Sequence, residues 1–402
     1  MNTLLLKGQS LAGLLILLII CFLLSEKRKS IKIRTILWGI GLQVLLAIII
    51  LKTSIGFMIF HGADKVFSTL IKFSDKGASF VFGSLVSDRT IGALIAFRVL
   101  PIIIFVSALM GVLYYFRIIQ FFVKIMARIM YYSMKISGAE SFGSALLIFM
   151  GIESSTAIKE YIKKMTRSEL FTYISAFMAT IASSVMLTYI SFGASAGHLL
   201  AASIMSAPAA IAISKILIPE TEKPETMQNV SLKIKKTESN MIEAVANGAS
   251  TGAHLAIQVG AMILGFVGII FLLDGLLGYA GLSLNQLFGY IFYPFALMIG
   301  IPVQEAPIVA RLLGVKTVFN EFLAYHQLQS LIQTQALSAR SIAISTYALC
   351  GFANFGSIGI LIGGIGSIAP GKKSMVASLG IKALIAGTFA SFLTAIIAGL
   401  LI

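Results

Sequence analysis

Charge is what this sequence has least of. Only 12% of its 402 residues are Asp, Glu, Lys or Arg, and 16 of these are acidic. A soluble chain could not hide a composition that is 58% hydrophobic with a mean hydropathy of +0.95. Even a large folded domain leaves about a quarter of its chain surface in water. The two cysteines, Cys21 and Cys350, lie far apart in apolar surroundings, which excludes a disulfide framework and leaves the redox compartment open. His61, His198, His254 and His326 share no metal-ligand spacing. No complete Gly-x-x-x-x-Gly-Lys-Ser/Thr phosphate cradle exists, so ATP-driven pumping is excluded within this chain. An aspartate-rich pair for prenyl transfer is also missing, as is the paired-aspartate motif of an intramembrane protease.

Long apolar runs recur from end to end, the mark of an all-α polytopic membrane protein. Because the runs are continuous and do not alternate, a β-barrel is excluded. The net charge of +15 suggests nucleic acid at first sight. The basic residues, however, sit in short clusters between apolar runs, where cytoplasmic loops carry them. We therefore expect a lipid bilayer and no nucleic acid as partner.

The first run, about Leu11 to Leu24, is followed by Lys27, Arg28, Lys29, Lys32 and Arg34. A signal peptide carries its charge in front and ends in a small-residue cleavage site, so we expect a retained span whose N-terminus lies outside. A second span is expected from about Ile36 to Phe60, then an outer, partly interfacial segment at 61–88. A third span runs from about Thr90 to Tyr115. Arg117, Lys124, Arg128 and Lys135 then ride on an amphipathic stretch expected at the cytoplasmic surface. Further spans are expected at about Leu170 to Ile190, His198 to Leu217, Leu255 to Leu273 and Met375 to Leu401, the last placing the C-terminus outside. The most polar stretch, Pro219 to Glu243, reads as a cytoplasmic linker between two halves.

Two segments break the pattern. Ser141 to Met150 is apolar but too short to cross about 30 Å as a helix, and Gly151-Ile152-Glu153-Ser154-Ser155-Thr156 interrupts it. Basic clusters flank both ends, which predicts a re-entrant hairpin from the cytoplasmic face. At 288–313 an apolar piece breaks at Gly300 to Pro307, where Pro302 and Pro307 remove backbone donors. We expect a second hairpin there, entering from outside. Glu153 and Glu305 each precede another glutamate by 16 residues (Glu169, Glu321), and a tyrosine follows each four later (Tyr173, Tyr325). This 152-residue offset predicts an inverted repeat, the sequence pointer to a secondary transporter's binding site. The corresponding domains are 1–138 (scaffold spans and interfacial helix), 139–218 (first transport repeat), 219–282 (linker and scaffold span) and 283–402 (second transport repeat).

Four polar clusters could bind a solute: Gly151 to Thr156; Thr180, Ser183 and Ser184; Asn320-Glu321; and Cys350 to Ser357. Serine and threonine in membrane helices usually bond backbone carbonyls, so Ser183 and Ser184 have an ordinary structural reading. Gly363, Gly364 and Gly366 read as packing residues, and Glu169, after Lys164 and Arg167, as a surface charge. Glu321 is different. An intramembrane carboxylate costs at least a few kcal/mol and is a functional candidate by default. An intramembrane enzyme using Glu153, Glu305 or Glu321 as base stays as a rival from another class.

The run Gly314-x-Lys316-x-x-x-Asn320-Glu321-Phe322-Leu323-Ala324-Tyr325 resembles the signature of the concentrative nucleoside transporters, with Leu323 standing where that family has Val. Cys350 to Ile360 and His198 to Pro208 resemble two further family segments, and the likeness extends from about Gly92 to the C-terminus. The resemblance implies eight spans plus two re-entrant hairpins in inverted repeats, assembled as a homotrimer in the cell inner membrane. It implies no organic cofactor and import of nucleosides driven by sodium or protons. Carried over residue by residue, Glu321, Asn354 and Ser357, beside Asn320, would bond the ribose hydroxyls. Phe352 would line the pocket, Val185 would pack on the base, and Glu153 would help read the base edge. Glu153, Thr180 and Ser183 are the candidates for ion coupling. The family's first hairpin tip reads Gly-Gln-Thr/Ser-Glu, whereas this chain has Gly151-Ile152-Glu153-Ser154. Leu147 stands near the place where sodium-coupled members carry Asn. These departures lean towards purines or an altered range, and towards protons. A carrier of a nucleobase or modified nucleoside is the alternative.

Overall fold

The structure, a computed structural model, describes residues 3–86, 95–227 and 238–402. Its first two helices are α1 (Thr3–Leu23) and α2 (Ile33–Lys52). The second expected span ends early. Thr53 turns its hydroxyl onto the Gly56 amide and starts α3 (Ser54–Phe82), an amphipathic 29-residue helix that includes Phe60 and most of the expected outer segment. The expected span start at Thr90 lies outside the described residues. A π-turn at Ile95–Val99 leads into α4 (Leu100–Tyr115), and α5 (Ile118–Met134) follows with charge on one face.

The first hairpin consists of α6 (Gly138–Leu147), then α7 (Ser154–Ala157) and α8 (Lys159–Ile162). Next come α9 (Arg167–Ala179), α10 (Ser183–Ser191), α11 (Ala196–Leu217) and the long α12 (Met241–Gly278). Of the linker, 228–237 lies outside the described residues. The chain continues as α13 (Leu284–Met298), α14 (Ala306–Val318), α15 (Glu321–Gln333), α16 (Ala339–Leu349), α17 (Phe355–Ile368) and α18 (Lys373–Leu401). Among the described residues, seven helical stretches are long and apolar enough to cross a membrane. The eighth of the spans that the family resemblance implies is formed by α16 and α17, each too short alone. Side-chain caps fix many helix starts: Ser137, Thr166 and Ser283 form capping boxes, and Asn240, Asn320, Ser338 and Asn354 bond their own first turns.

The second hairpin lies one helix later than its expected place. Glu305, expected at a tip, accepts from the Ser338 hydroxyl (2.9 Å) and backbone N–H (3.2 Å) at the start of α16. Thus α14 leaves from, and α15 returns to, the same level, and the tip is Phe319-Asn320. The prolines do interrupt a helix, but they mark the hairpin's base. The repeat therefore pairs α6 to α11 with α14 to α18, and Glu153 with Glu321, so the 152-residue spacing does not relate equivalent positions. Glu169, expected on the surface, is buried. It accepts from the Ser137 hydroxyl (2.5 Å) and the Thr166 amide (2.8 Å), tying α9 to the base of the first hairpin.

The hairpins are inverted, and α18 measures the inversion. At its start Lys372 donates to the Met165 carbonyl (2.7 Å) beside the first hairpin's base. Near its end Gly399 lies against Ser10 and the Ile299 carbonyl, at the base of the second. Its 29 residues separate the two bases by about 43 Å. Helices α1 and α2, expected as scaffold, pack instead on α18 and α11. The seam between α4 and α12 is separate: a Cβ at Gly248 would fall 2.6 Å from the Ser107 carbonyl oxygen, and one at Gly111 2.5 Å from that of Ala244. Backbones approach this closely only where residues are small.

Candidate functional site

Four interruptions of helix meet in the interior: 148–153, 180–182, 319–320 and 350–354. Each leaves backbone groups that a helix would satisfy, and in lipid these must find partners inside the protein. They find one another. The Phe352 amide donates to the Thr180 carbonyl (3.2 Å), and the Ser183 amide to the Phe149 carbonyl (3.2 Å). Gly351 has φ +139° and passes so close to α9 that a Cβ would lie 2.8 Å from the Met178 carbonyl oxygen. Only glycine takes that conformation and that approach freely.

Glu321 opens α15 in this crossing and is 6% exposed. Tyr189 of α10 donates its hydroxyl to Oε1 (2.8 Å), and Asn354 donates its side-chain N–H to Oε2 (2.9 Å). Asn354 is itself held, because its Oδ1 accepts the Ser357 amide at 2.8 Å. The amide oxygen caps α17 while the nitrogen is aimed at the carboxylate, so its orientation has one solution. Asn320 caps α15 by accepting the Leu323 amide (2.9 Å), which occupies its carbonyl oxygen. The Tyr189 ring stacks on Tyr325 at 4.4 Å and 16°, and Phe192 meets Phe322 edge-on. Phe352 is half-buried with its ring 5.5 Å from Phe177, and Val185 and Ser357 are buried nearby in sequence to these groups.

The first hairpin's tip is built differently. Ser154 and Ser155 both bond the Tyr173 hydroxyl, at 2.9 and 3.0 Å, and so serve the fold. The Glu153 carboxylate folds back over Gly151, where a Cβ would sit 2.7 Å from Oε2. Ile152 lies on Gly364 of α17, a glycine that makes room for it. Of the ion-coupling candidates, Thr180 gives its hydroxyl to the Ala176 carbonyl (2.8 Å), and Ser183 stands half-buried at the start of α10. The structure thus gathers Glu321, Asn354, Phe352, Ser357, Val185, Thr180 and Ser183 around crossing breaks, with Glu153 on the tip beside them. It separates the histidines, of which His198 bonds the Tyr347 hydroxyl at 3.2 Å. Tyr189 escaped the sequence reading. Its position four residues after Val185, on the same helix face, was the available signal.

Comparison with known proteins follows the same outline. Residues 198–399 match the family profile described as Na+ dependent nucleoside transporter C-terminus, residues 12–85 match its N-terminus, and 96–196 match a profile described as nucleoside recognition. Solute carrier family 28 member 3 of Mus musculus is 42% identical over 98% of this chain. The chain spans only 58% of that relative's length. An uncharacterized transporter of Haemophilus influenzae is 42% identical over 98% of this chain and 97% of its own. Among solved structures, CNTnw in an inward-facing substrate-bound state superposes with TM-score 0.92 at 38% identity, covering 98% of both chains. These are transporters and not enzymes, which removes the intramembrane enzyme from consideration. Multi-pass helices, inverted hairpins and matched profiles along nearly the whole chain converge: this protein belongs to the Na+ dependent nucleoside transporter family.

Proposed function

We propose that this chain is a secondary active symporter that imports nucleosides. The observation that carries the reading is the buried Glu321, whose two oxygens each hold one fixed donor. An ionised carboxylate oxygen accepts two hydrogen bonds, so each keeps capacity for one more. A pair of vicinal hydroxyls, as on ribose, supplies two donors at that spacing. Asn354 and Ser357 flank the sugar, Phe352 and Val185 face the base, and Ile152 with Glu153 lies at its far edge. A solute held at crossing breaks between inverted hairpins suits transport in which the hairpin unit shuttles across a scaffold.

The scaffold is α4 with α12. Only 11% of the most apolar window of α12 is buried within its own chain, and its uncovered face suits partner copies in a homotrimer. The end rich in lysine and arginine faces the cytoplasm, which puts both termini outside the cell membrane. The coupling ion is sodium or a proton. The matched family's description names sodium, whereas Leu147 and the engaged Thr180 hydroxyl favour a proton carried on a buried glutamate. Proteoliposome uptake of a nucleoside panel, with either gradient imposed separately, tests all of this. Uptake of adenosine or uridine under one gradient is expected, with weak competition by free bases. Indifference of a well-reconstituted protein to every nucleoside defeats the reading, and strong competition by free bases replaces it with a nucleobase carrier.

A further inference from the structure

Lys316, the charged residue five positions before Glu321, has no exposed surface. It makes no ion pair among the described residues. Its amino group donates to the Ala348 carbonyl (2.8 Å) and to the Ser391 hydroxyl (3.2 Å). Ser391, on α18, donates its own hydroxyl to the Cys350 carbonyl (2.9 Å). On the other arm of the same hairpin, Tyr325 donates to the Thr346 carbonyl (2.7 Å). All three carbonyls belong to the end of α16, where the helix stops and the segment carrying Phe352 and Asn354 begins.

The physical need is plain. The last carbonyls of a helix have no partner within it, and at membrane depth no water replaces one. They also form the negative end of the helix dipole, where a cation is favoured. Flexible lysine usually reaches for water, so a wholly buried one bonded to backbone is there for its geometry. Both arms of the second hairpin therefore grip the broken end of α16.

We propose that Lys316 is a positioning residue for solute binding: by holding the Ala348 and Cys350 carbonyls it sets where Phe352 and Asn354 stand relative to Glu321. Lys316 need not touch the solute. It acts through the break, with Ser391 as relay. The inference rests on the nucleoside reading for its binding readout, so a second readout independent of any solute accompanies it.

The test uses the full chain carrying Cys21→Ser, which leaves the buried Cys350 as sole thiol. Lys316→Met keeps length and removes the donor. Alkylation of Cys350 by N-ethylmaleimide is expected to quicken at least fivefold, since the break is no longer held. In binding assays the preference for a nucleoside over its 3′-deoxy analogue is expected to collapse by a similar factor, through dissociation constant more than maximal uptake. Ser391→Ala, a smaller change that spares the Ala348 bond, is expected to give a weaker version of both effects. The double variant is expected to fall short of the sum, as coupled neighbours do. Unchanged alkylation in both single variants overturns the proposal, as does a loss of affinity equal for both nucleosides. If the parent binds no nucleoside at all, the functional reading fails, and alkylation alone then decides whether Lys316 holds the break.

Discussion

The two hairpins share a topology and differ in what their tips are for. In the first, polar side chains are spent on the fold: Ser154 and Ser155 close on Tyr173, and the tip that remains is Ile152 and the folded-back Glu153. Its base is fastened too. Thr226 accepts the Gly138 and Ala139 amides, both at 3.0 Å, and Glu220 accepts the Thr166 hydroxyl at 2.8 Å. In the second, Glu321 is served by donors from two other elements, and the tip is the polar centre of the molecule. One hairpin is tied to α9 and to the linker, while the other is tied to the site. A ligand with a hydroxyl-rich end and a flat end would meet specific hydrogen bonding on one side and permissive contact on the other.

Glu321→Gln tests the contrast hardest. It removes the charge and replaces one of the two acceptor oxygens that Tyr189 and Asn354 serve with a donor, and uptake is expected to fall about 100-fold, as loss of charged hydrogen bonds worth about 2–3 kcal/mol would give. Membrane expression should be retained. Glu153→Gln is expected to cost far less in sugar discrimination, and the reverse order would break the comparison. Tyr189→Phe comes next: with one of two fixed donors gone, affinity should drop about fivefold, near 1 kcal/mol. Ile152→Gln restores a polar tip to the first hairpin. Its expected effect is a severalfold change in the purine-to-pyrimidine uptake ratio, with sugar discrimination intact.

Tyr173→Phe leaves Ser154 and Ser155 without their shared partner, and a melting temperature lower by a few degrees in detergent is expected. The smallest effect lies at the basic end. Glu26 bonds Arg167 (2.5 and 2.9 Å) and Lys382 (2.5 Å). The Arg167 bond above all holds its carboxyl down at about 2. A carboxyl lowered on folding adds stability above its ordinary value near 4.5, and that stability is lost as pH falls from there towards 2. The group is partly in solvent, so screening leaves the effect small. Glu26→Gln should flatten the acid limb of the thermal-melt profile, and an unaltered limb shows that Glu26 is not its source.

Much of this is legible in the sequence. Glu321 and Asn354 stood out because polar residues at membrane depth are costly, whereas Phe352 was reached only through the family resemblance. The first hairpin was legible because ten apolar residues cannot cross a bilayer. The second was misplaced by one helix, since Pro302 and Pro307 announce a break as loudly as a true tip does. Glu169 read as solvated because its neighbours Lys164 and Arg167 are basic, yet it is the third residue of a capping box turned inward.

By itself, then, the sequence determined that the chain lives in lipid, that its helices are interrupted, and which carboxylate stands at membrane depth. Composition and the length of apolar runs decide those things locally, through the energy of placing each group in hydrocarbon. Tertiary structure alone decided which interruption faces which: that Tyr189 and Asn354 share Glu321, that Ser154 answers to Tyr173, and that Lys316 holds the end of α16. Those pairings join residues 19 to 132 positions apart. No local rule sets them, because a backbone group freed at one break takes whatever donor the packing of the whole chain brings to it.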